Sequence, residues 1–160
     1  MFYLSPEGDR YYLNRAFNYG DRQYTRFAAT HEQFTALGFT QVVVGPRPDD
    51  RFYIVRGPDN AGAYTATPRD LNDLKASFIE GDKQTARQLL SQTDWYIIRL
   101  LETQAPAPAA VSIDRAEIRV VQNIREDEIN YATTVEELKQ LIDSDLTPFP
   151  SDEPQPGAGS

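Results

Sequence analysis

Residues Thr85–Asn123 read TARQLLSQTDWYIIRLLETQAPAPAAVSIDRAEIRVVQN, and the rest of the chain is organised around them. This stretch holds the only tryptophan and the densest apolar run (Trp95, Tyr96, Ile97, Ile98, Leu100, Leu101). A Pro/Ala hinge follows, then a basic amphipathic segment. Asp94 is placed to cap a helix running through Thr103. The hinge Ala105-Pro106-Ala107-Pro108 must end that helix, because proline lacks an amide donor and disfavours helix in the residue before it. Ser112 caps the next helix, with Ile113, Ala116, Val120 and Ile124 directed inward and Arg115, Arg119 and Arg125 outward. Trp95, flanked by aliphatic side chains, is expected to anchor a core, where truncation to alanine costs roughly 3–5 kcal/mol.

Upstream of this stretch, Thr67-Pro68 reads as an N-cap followed by proline at the first helical position. Leu71, Leu74, Phe78, Ala86 and Leu89 then recur at helical spacing, with a kink expected at Gly81-Asp82, where glycine costs about 1 kcal/mol relative to alanine. Downstream, Thr133 and Glu136 form a capping box for a short helix from Val135 to Ile142. From Leu146 the chain runs TPFPSDEPQPGAGS, with no apolar stripe, and disorder in isolation is expected.

The N-terminal portion has a different texture. Phe2–Leu4 and Arg10–Leu13 flank Pro6-Glu7-Gly8-Asp9, a hairpin signal. A turn at Asn18-Tyr19-Gly20-Asp21 leads to a third strand over Arg22–Ala28. Thr30 with Gln33 makes a capping box for a helix closed by Gly38. Strands are expected at Phe39–Val44, Arg51–Val55 and Ala63–Ala66, and Pro58-Asp59-Asn60-Ala61-Gly62 reads as a turn. Links of hairpin length argue for one antiparallel meander covered on one face by the short helix. The fold expected is therefore α+β. It comprises an N-terminal antiparallel β domain with one short helix (1–66), a helical region (67–145) and an extended acidic, Pro-rich tail (146–160).

At 160 residues the chain can bury about two thirds of its unfolded surface without staples, and it contains no cysteine. That excludes disulfides, cysteine-type zinc sites and cysteine nucleophiles. The net charge of −8 disfavours phosphate backbones, so no nucleic-acid partner is expected. The opening MFYLSPEGDRYYL lacks a basic start and a long apolar core, which predicts no signal peptide, and no window suits a membrane span. Cytoplasmic residence follows as the expectation.

Chemistry-bearing patterns are sparse. His31 is the sole histidine and reads as a surface residue, since one imidazole supplies neither a zinc shell nor a triad. The acidic pairs Asp49-Asp50, Asp127-Glu128 and Glu136-Glu137 are adjacent in sequence and point apart, unlike the facing carboxylates of glycoside hydrolysis. Neither GxGxxG nor GxxxxGK[ST] occurs. No catalytic residue, cofactor or metal is expected. The arginines after the hinge read as a salt-bridged solvent face or as a docking face for an acidic partner.

The run Thr93-Asp94-Trp95-Tyr96-Ile97-Ile98-Arg99, with Glu102, the Pro-containing linker and the Arg-bearing helix (Arg115, Arg119), resembles the C-terminal region of bacteriophage tail-fibre assembly proteins and related tail accessory proteins. Their pattern has the form T-D-W-y-v-i-R-x-x-E-[TS]-G-x-x-[IV]-P followed by R-x-x-[IL]-R. Gln104 stands where that pattern carries glycine, and the linker here has an extra Pro-Ala unit. Thr30, Phe34, Leu37, Gly38 and Phe39 also match a T-x-x-x-F-x-x-L-G-F element, so the resemblance spans Phe2 to Ile142. It implies a non-enzymatic chaperone that binds a trimeric tail fibre in the host cytoplasm and can remain in the virion tail. The alternative is a purely structural adaptor joining fibre to tail or baseplate. A host-recognition module acting on carbohydrate is a third reading, prompted by the aromatic content. Candidate partner contacts are Tyr11, Tyr12, Tyr24, Phe52 and Tyr53 on the β side, with Trp95 (a binding hot spot as the alternative to a core anchor), Arg99, Glu102, Arg115 and Arg119 on the helical side. Trp95, Arg99 and Glu102 are expected to set the angle between helices, Arg99 and Glu102 pairing at i, i+3.

Overall fold

The computed structural model describes residues 1–150 and shows an α+β chain, with small antiparallel sheets first and helices after. It divides into two compact units, Met1–Pro68 and a second that begins at Arg69.

The first unit is built on a strand buried on both faces. Successive side chains of a strand point to opposite sides, and in β1 (Phe2–Leu4) both Phe2 and Tyr3 are buried. Strand β1 is the middle of a three-stranded antiparallel sheet, paired with β2 (Arg10–Tyr11) and with β5 (Thr40–Val42). The β1–β2 turn is closed by Ser5 N–H donating to Asp9 O at 2.9 Å and Gly8 N–H to Ser5 O at 2.9 Å. Tyr3 packs with Ala29, Phe34 and Phe39 in an aromatic core rimmed by Tyr11, Leu13, Phe17, Tyr19 and Leu37. Helix α1 (His31–Ala36) supplies Phe34 to that core. Thr30 Oγ1 accepts from Gln33 N–H at 3.2 Å at its start, and Gly38 follows its end in the left-handed region at φ +77°.

The expected single meander is replaced by three separate small sheets. The sheet around β1 is joined by the pair β3 (Phe17–Tyr19) and β4 (Arg22–Tyr24) and the pair β6 (Tyr53–Arg56) and β7 (Thr65–Pro68). The strand expected over Arg22–Ala28 stops at Tyr24, because Arg26–Ala28 forms a 3-10 turn. Asp59 Oδ1 accepts from the amides of Ala61 and Ala63, both at 2.9 Å, which makes the β6–β7 connection the expected turn. Thr67 and Pro68 belong to β7, not to a helix start. Asp70 is the cap instead, its carboxylate accepting from the amides of Asn72 and Asp73.

The second unit contains α2 (Leu71–Ser91), α3 (Asp94–Thr103), α4 (Ala109–Tyr131), α5 (Val135–Gln140) and a π turn over Leu141–Asp145. Helix α2 is unbroken through Gly81 and packs against α4. Polar ties reinforce that pairing: Lys83 with Glu126 at 3.1 Å, Arg125 with Asp82 at 2.7 Å, and Lys75 Nζ donating to Asn130 O at 2.9 Å. The buried face of α4 is Arg115, Ile118, Val121 and Ile129. The face expected to be inward is the outer one, with Ile113 64% and Val120 55% exposed. Helix α4 carries an apolar stripe on each side, and Asp82 and Glu126 select the one turned toward α2. Ser112 is no cap, since α4 begins at Ala109 and the Ser112 amide donates to Pro108 O.

The last cap is displaced by one residue. Thr134 Oγ1 accepts from the Glu137 amide at 3.1 Å, while the Thr133 amide and hydroxyl donate to Glu137 Oε2 at 2.7 and 2.8 Å. The chain after Leu146 lies along α4. Glu128 accepts from the Thr147 amide at 3.1 Å and from its hydroxyl, Arg125 Nη1 donates to Thr147 O at 2.6 Å, and the Arg125 guanidinium covers the Phe149 ring. The expected disorder therefore does not hold for 146–150, and residues 151–160 lie outside the described residues. Among the described residues, no helix is long and apolar enough to cross a membrane.

Gly62 is the most closely approached glycine of the first unit. It has φ +83°, and a Cβ there would lie 2.4 Å from Val43 O. Gly20 also has positive φ, at +57°, but nothing stands within 4 Å of its Cβ position. Gly20→Ala bears only the backbone cost of roughly 1–2 kcal/mol. Gly62→Ala adds a clash with backbone, so its loss of unfolding free energy in denaturant titration is expected to exceed that of Gly20→Ala.

Candidate interaction surface

Helix α3 starts where it does because of one buried cation. The α2–α3 junction leaves helix-end carbonyls without intrahelical donors. Arg115, only 8% exposed, reaches across from α4 to add a charged donor to one of them, Leu90 O, which also accepts from the Thr93 amide. Its Nη1 donates to Leu90 O at 2.7 Å and to Thr93 Oγ1 at 2.8 Å, and its Nη2 to Asp94 Oδ1 at 2.9 Å. Asp94 is the first residue of α3, where a carboxylate also complements the helix dipole. This corrects the outward placement of Arg115: it is the buried charged residue of its helix.

The far end of α3 is closed at Gln104, which adopts the left-handed conformation at φ 60° and donates from its amide to Leu100 O at 2.9 Å. This is the position where the resembled pattern carries glycine, and the geometry shows why glycine suits it. A left-handed residue with a Cβ costs roughly 1–2 kcal/mol.

Between those ends, α3 contributes no buried residue. Trp95 is 50%, Ile98 55% and Leu101 79% exposed, at steps of three residues that place them along one side. Leu100 and Ile97 are exposed as well, and Trp95 stacks on Tyr96 with ring centroids 3.7 Å apart. Trp95 is therefore no core anchor. The apolar density that suggested a core lies on a helix whose neighbours α2 and α4 face each other. Arg99 and Glu102 are exposed and form no ion pair with one another, so the expected i, i+3 lock is not made.

The aromatic candidates of the first unit are mostly spent on its core. Phe52 is fully buried. Tyr11 is half-buried against Phe39 and Phe17, and its removal from water pushes its phenol above the ordinary tyrosine range. Tyr24 stacks on Phe17 at 4.5 Å, and Tyr53 is half-buried at the start of β6. Tyr12 alone of the five is exposed, beneath the Arg15 guanidinium. Arg119 is exposed and donates to Arg115 O at 3.2 Å. Residue reading missed Phe27 and Val43, both widely exposed, since each sits in what scans as a strand with one buried face.

His31 is on the surface, with Nδ1 2.7 Å from the Tyr3 hydroxyl. Among the described residues, no cluster of three or more His, Asp or Glu is placed to hold a metal ion, and no buried side-chain polar atom lacks a partner. Compared with protein-family models, curated proteins and solved structures, the chain gives no match in any of the three.

Two measurements separate the clamp from the surface it presents. Arg115→Met removes the cation that Leu90 O, Thr93 Oγ1 and Asp94 Oδ1 share and is expected to lower unfolding free energy by about 2–3 kcal/mol. Trp95→Ser, on an exposed face, is expected to stay within about 0.5–1 kcal/mol of the parent. Denaturant titration of both reads the difference, and equal losses would mean that Trp95 is packed after all. Separately, Gln104→Gly should raise stability by up to about 1 kcal/mol, because it relieves the left-handed strain while making the unfolded chain freer.

Proposed function

We propose that this protein is a bacteriophage tail-fibre assembly chaperone: a non-enzymatic binder that covers apolar surface of a fibre polypeptide in the host cytoplasm until the fibre trimerises. The observation that carries the reading is the Trp95–Leu101 face of α3, an apolar surface held out by the Arg115 clamp. Contiguous exposed apolar area of this kind marks a protein-binding site. It overlaps the Thr93–Arg99 run that resembles the tail-fibre assembly pattern. Fibre chains awaiting trimerisation expose unpaired strand edges and apolar strips, which aggregate unless covered. A helix laying its apolar side into such a strip uses the helix-in-groove mode of recognition, with tryptophan as the anchor.

The test is co-expression with a bacteriophage tail-fibre polypeptide. The fibre is expected to be soluble and trimeric only with this protein present, and to co-purify with it. Trp95→Ser combined with Leu101→Ser should weaken capture at least about tenfold, the scale of losing one anchor, while leaving the chain folded. A fibre that is soluble and trimeric without this protein sinks the chaperone role, and stoichiometric protein in virions with normal fibre folding would assign the adaptor role instead.

A further inference from the structure

A second surface lies at the other end of α4, and its chemistry differs from that of α3. The C-terminal end of α4, α5 and the π turn enclose an open groove of about 600 Å³, lined by Glu128, Tyr131, Ala132, Glu137, Leu141 and Asp145. Its apolar wall includes the Tyr131 ring, which is 87% exposed, together with Leu141 and the buried Ala132. Three carboxylates rim it and no basic side chain lines it. Each carboxylate is held in place by a neutral donor: Glu128 by Thr147, Glu137 by Thr133, and Asp145 by Gln140 at 3.2 Å. Among the described residues none of the three takes part in an ion pair, so their charge is oriented but uncompensated. The Thr133 amide and hydroxyl also hold the Glu137 carboxyl below its ordinary range, which keeps it ionised.

Charge along the chain shows what fits there. From Glu126 to the end there are nine acids and one lysine, while the residues before Glu126 balance at fifteen acids and fifteen bases. The net charge of −8 thus arises wholly from residues 126–160, among which are the residues that line the groove. The chain's own last ten residues carry Asp152 and Glu153 and no base, and a second copy would bring the same acidic segment, so like charges oppose both as occupants. We propose that this groove docks an arginine- or lysine-bearing segment of a partner polypeptide. The cation's aliphatic stem lies on Tyr131 and Leu141 and its head meets the carboxylates, a placement that combines snorkelling with a cation–π contact. Naming that partner as the tail fibre rests on the function proposed above; the chemistry of the groove does not.

The probe is a capped peptide of alternating leucine and arginine, titrated into the full chain while amide chemical shifts are followed. Shifts are expected to concentrate at Tyr131–Thr133 and Leu141, to shrink as salt is raised through about 0.5 M, and to be absent with the leucine–glutamate counterpart. Tyr131→Ser and Asp145→Asn change exposed side chains, so the chain stays folded, and together they should weaken binding at least about tenfold. No response at these residues, or equal responses to the acidic peptide, overturns the proposal. Fibre capture through α3 without any peptide response would overturn the groove alone, and peptide binding without fibre capture would support the groove and remove the fibre as the partner.

Discussion

The second unit depends on the burial of one guanidinium. A charge taken out of water is costly unless it is paired and its donors are used, and Arg115 meets that condition with three acceptors drawn from two helices. Only a planar fork can reach Leu90 O, Thr93 Oγ1 and Asp94 Oδ1 at once, whereas a lysine at this position would offer a single point of attachment. Because Asp94 stays half in water, its ion pair with Arg115 is partly screened. The stronger constraint is the guanidinium's own need for acceptors: without Leu90 O and Thr93 Oγ1 at the α2–α3 turn, it would be a buried and unmatched charge.

Arg125 repeats the device nearly three turns further along α4. It pairs with Asp82 on α2 in a largely desolvated bridge, donates to Thr147 O, and lies over Phe149. One arginine thus sets where α3 begins, and the other ties down the chain that follows the π turn. In both cases the cation fixes backbone, because an apolar side chain of the same volume could fill the space but could not satisfy a carbonyl. The orientation of α4 follows from the same pairing.

Local chemistry was legible in the residues, and long-range choice was not. Thr30, Gln33 and Gly38 specify α1 by themselves, since a capping oxygen, its amide partner and a left-handed terminus all lie within one short segment. The Ser5–Asp9 turn, the Asp59 turn and the end of α3 before the prolines were readable for the same reason. The start of α2 was misplaced because Thr67-Pro68 has helix-start chemistry yet pairs as an edge with Tyr53 and Ile54. Proline is tolerated there because it is the last residue of a strand. The face of α4 was inverted because apolar residues stand on both sides of that helix, and only the positions of Asp82 and Leu90 on α2, distant in sequence, decide between them. Trp95 was assigned to a core on density alone, a rule that holds in one direction: apolar surface is sought by interiors, but it is also what a binding helix must show.

Most aromatic residues of the first unit serve its core, Phe27 and Tyr12 excepted, whereas the second unit leaves two large rings exposed. Phe17, Phe34, Phe39, Tyr3, Tyr11 and Tyr19 pack ring against ring, which uses them for cohesion and leaves few for a partner. In the second unit Trp95, on α3, and Tyr131, at the end of α4, are exposed to water. Large rings left exposed gain little for the isolated fold, and the two surfaces differ in what they would admit. The α3 side is apolar, with Arg99 and Glu102 offsetting one another in charge. The groove at the far end of α4 is apolar but rimmed by acids. A polypeptide that engaged both would have to present an aliphatic strip and, beyond it, a cationic segment. That combination is far more selective than either surface alone, since a wrong partner leaves desolvated carboxylates at one end or an uncovered tryptophan at the other.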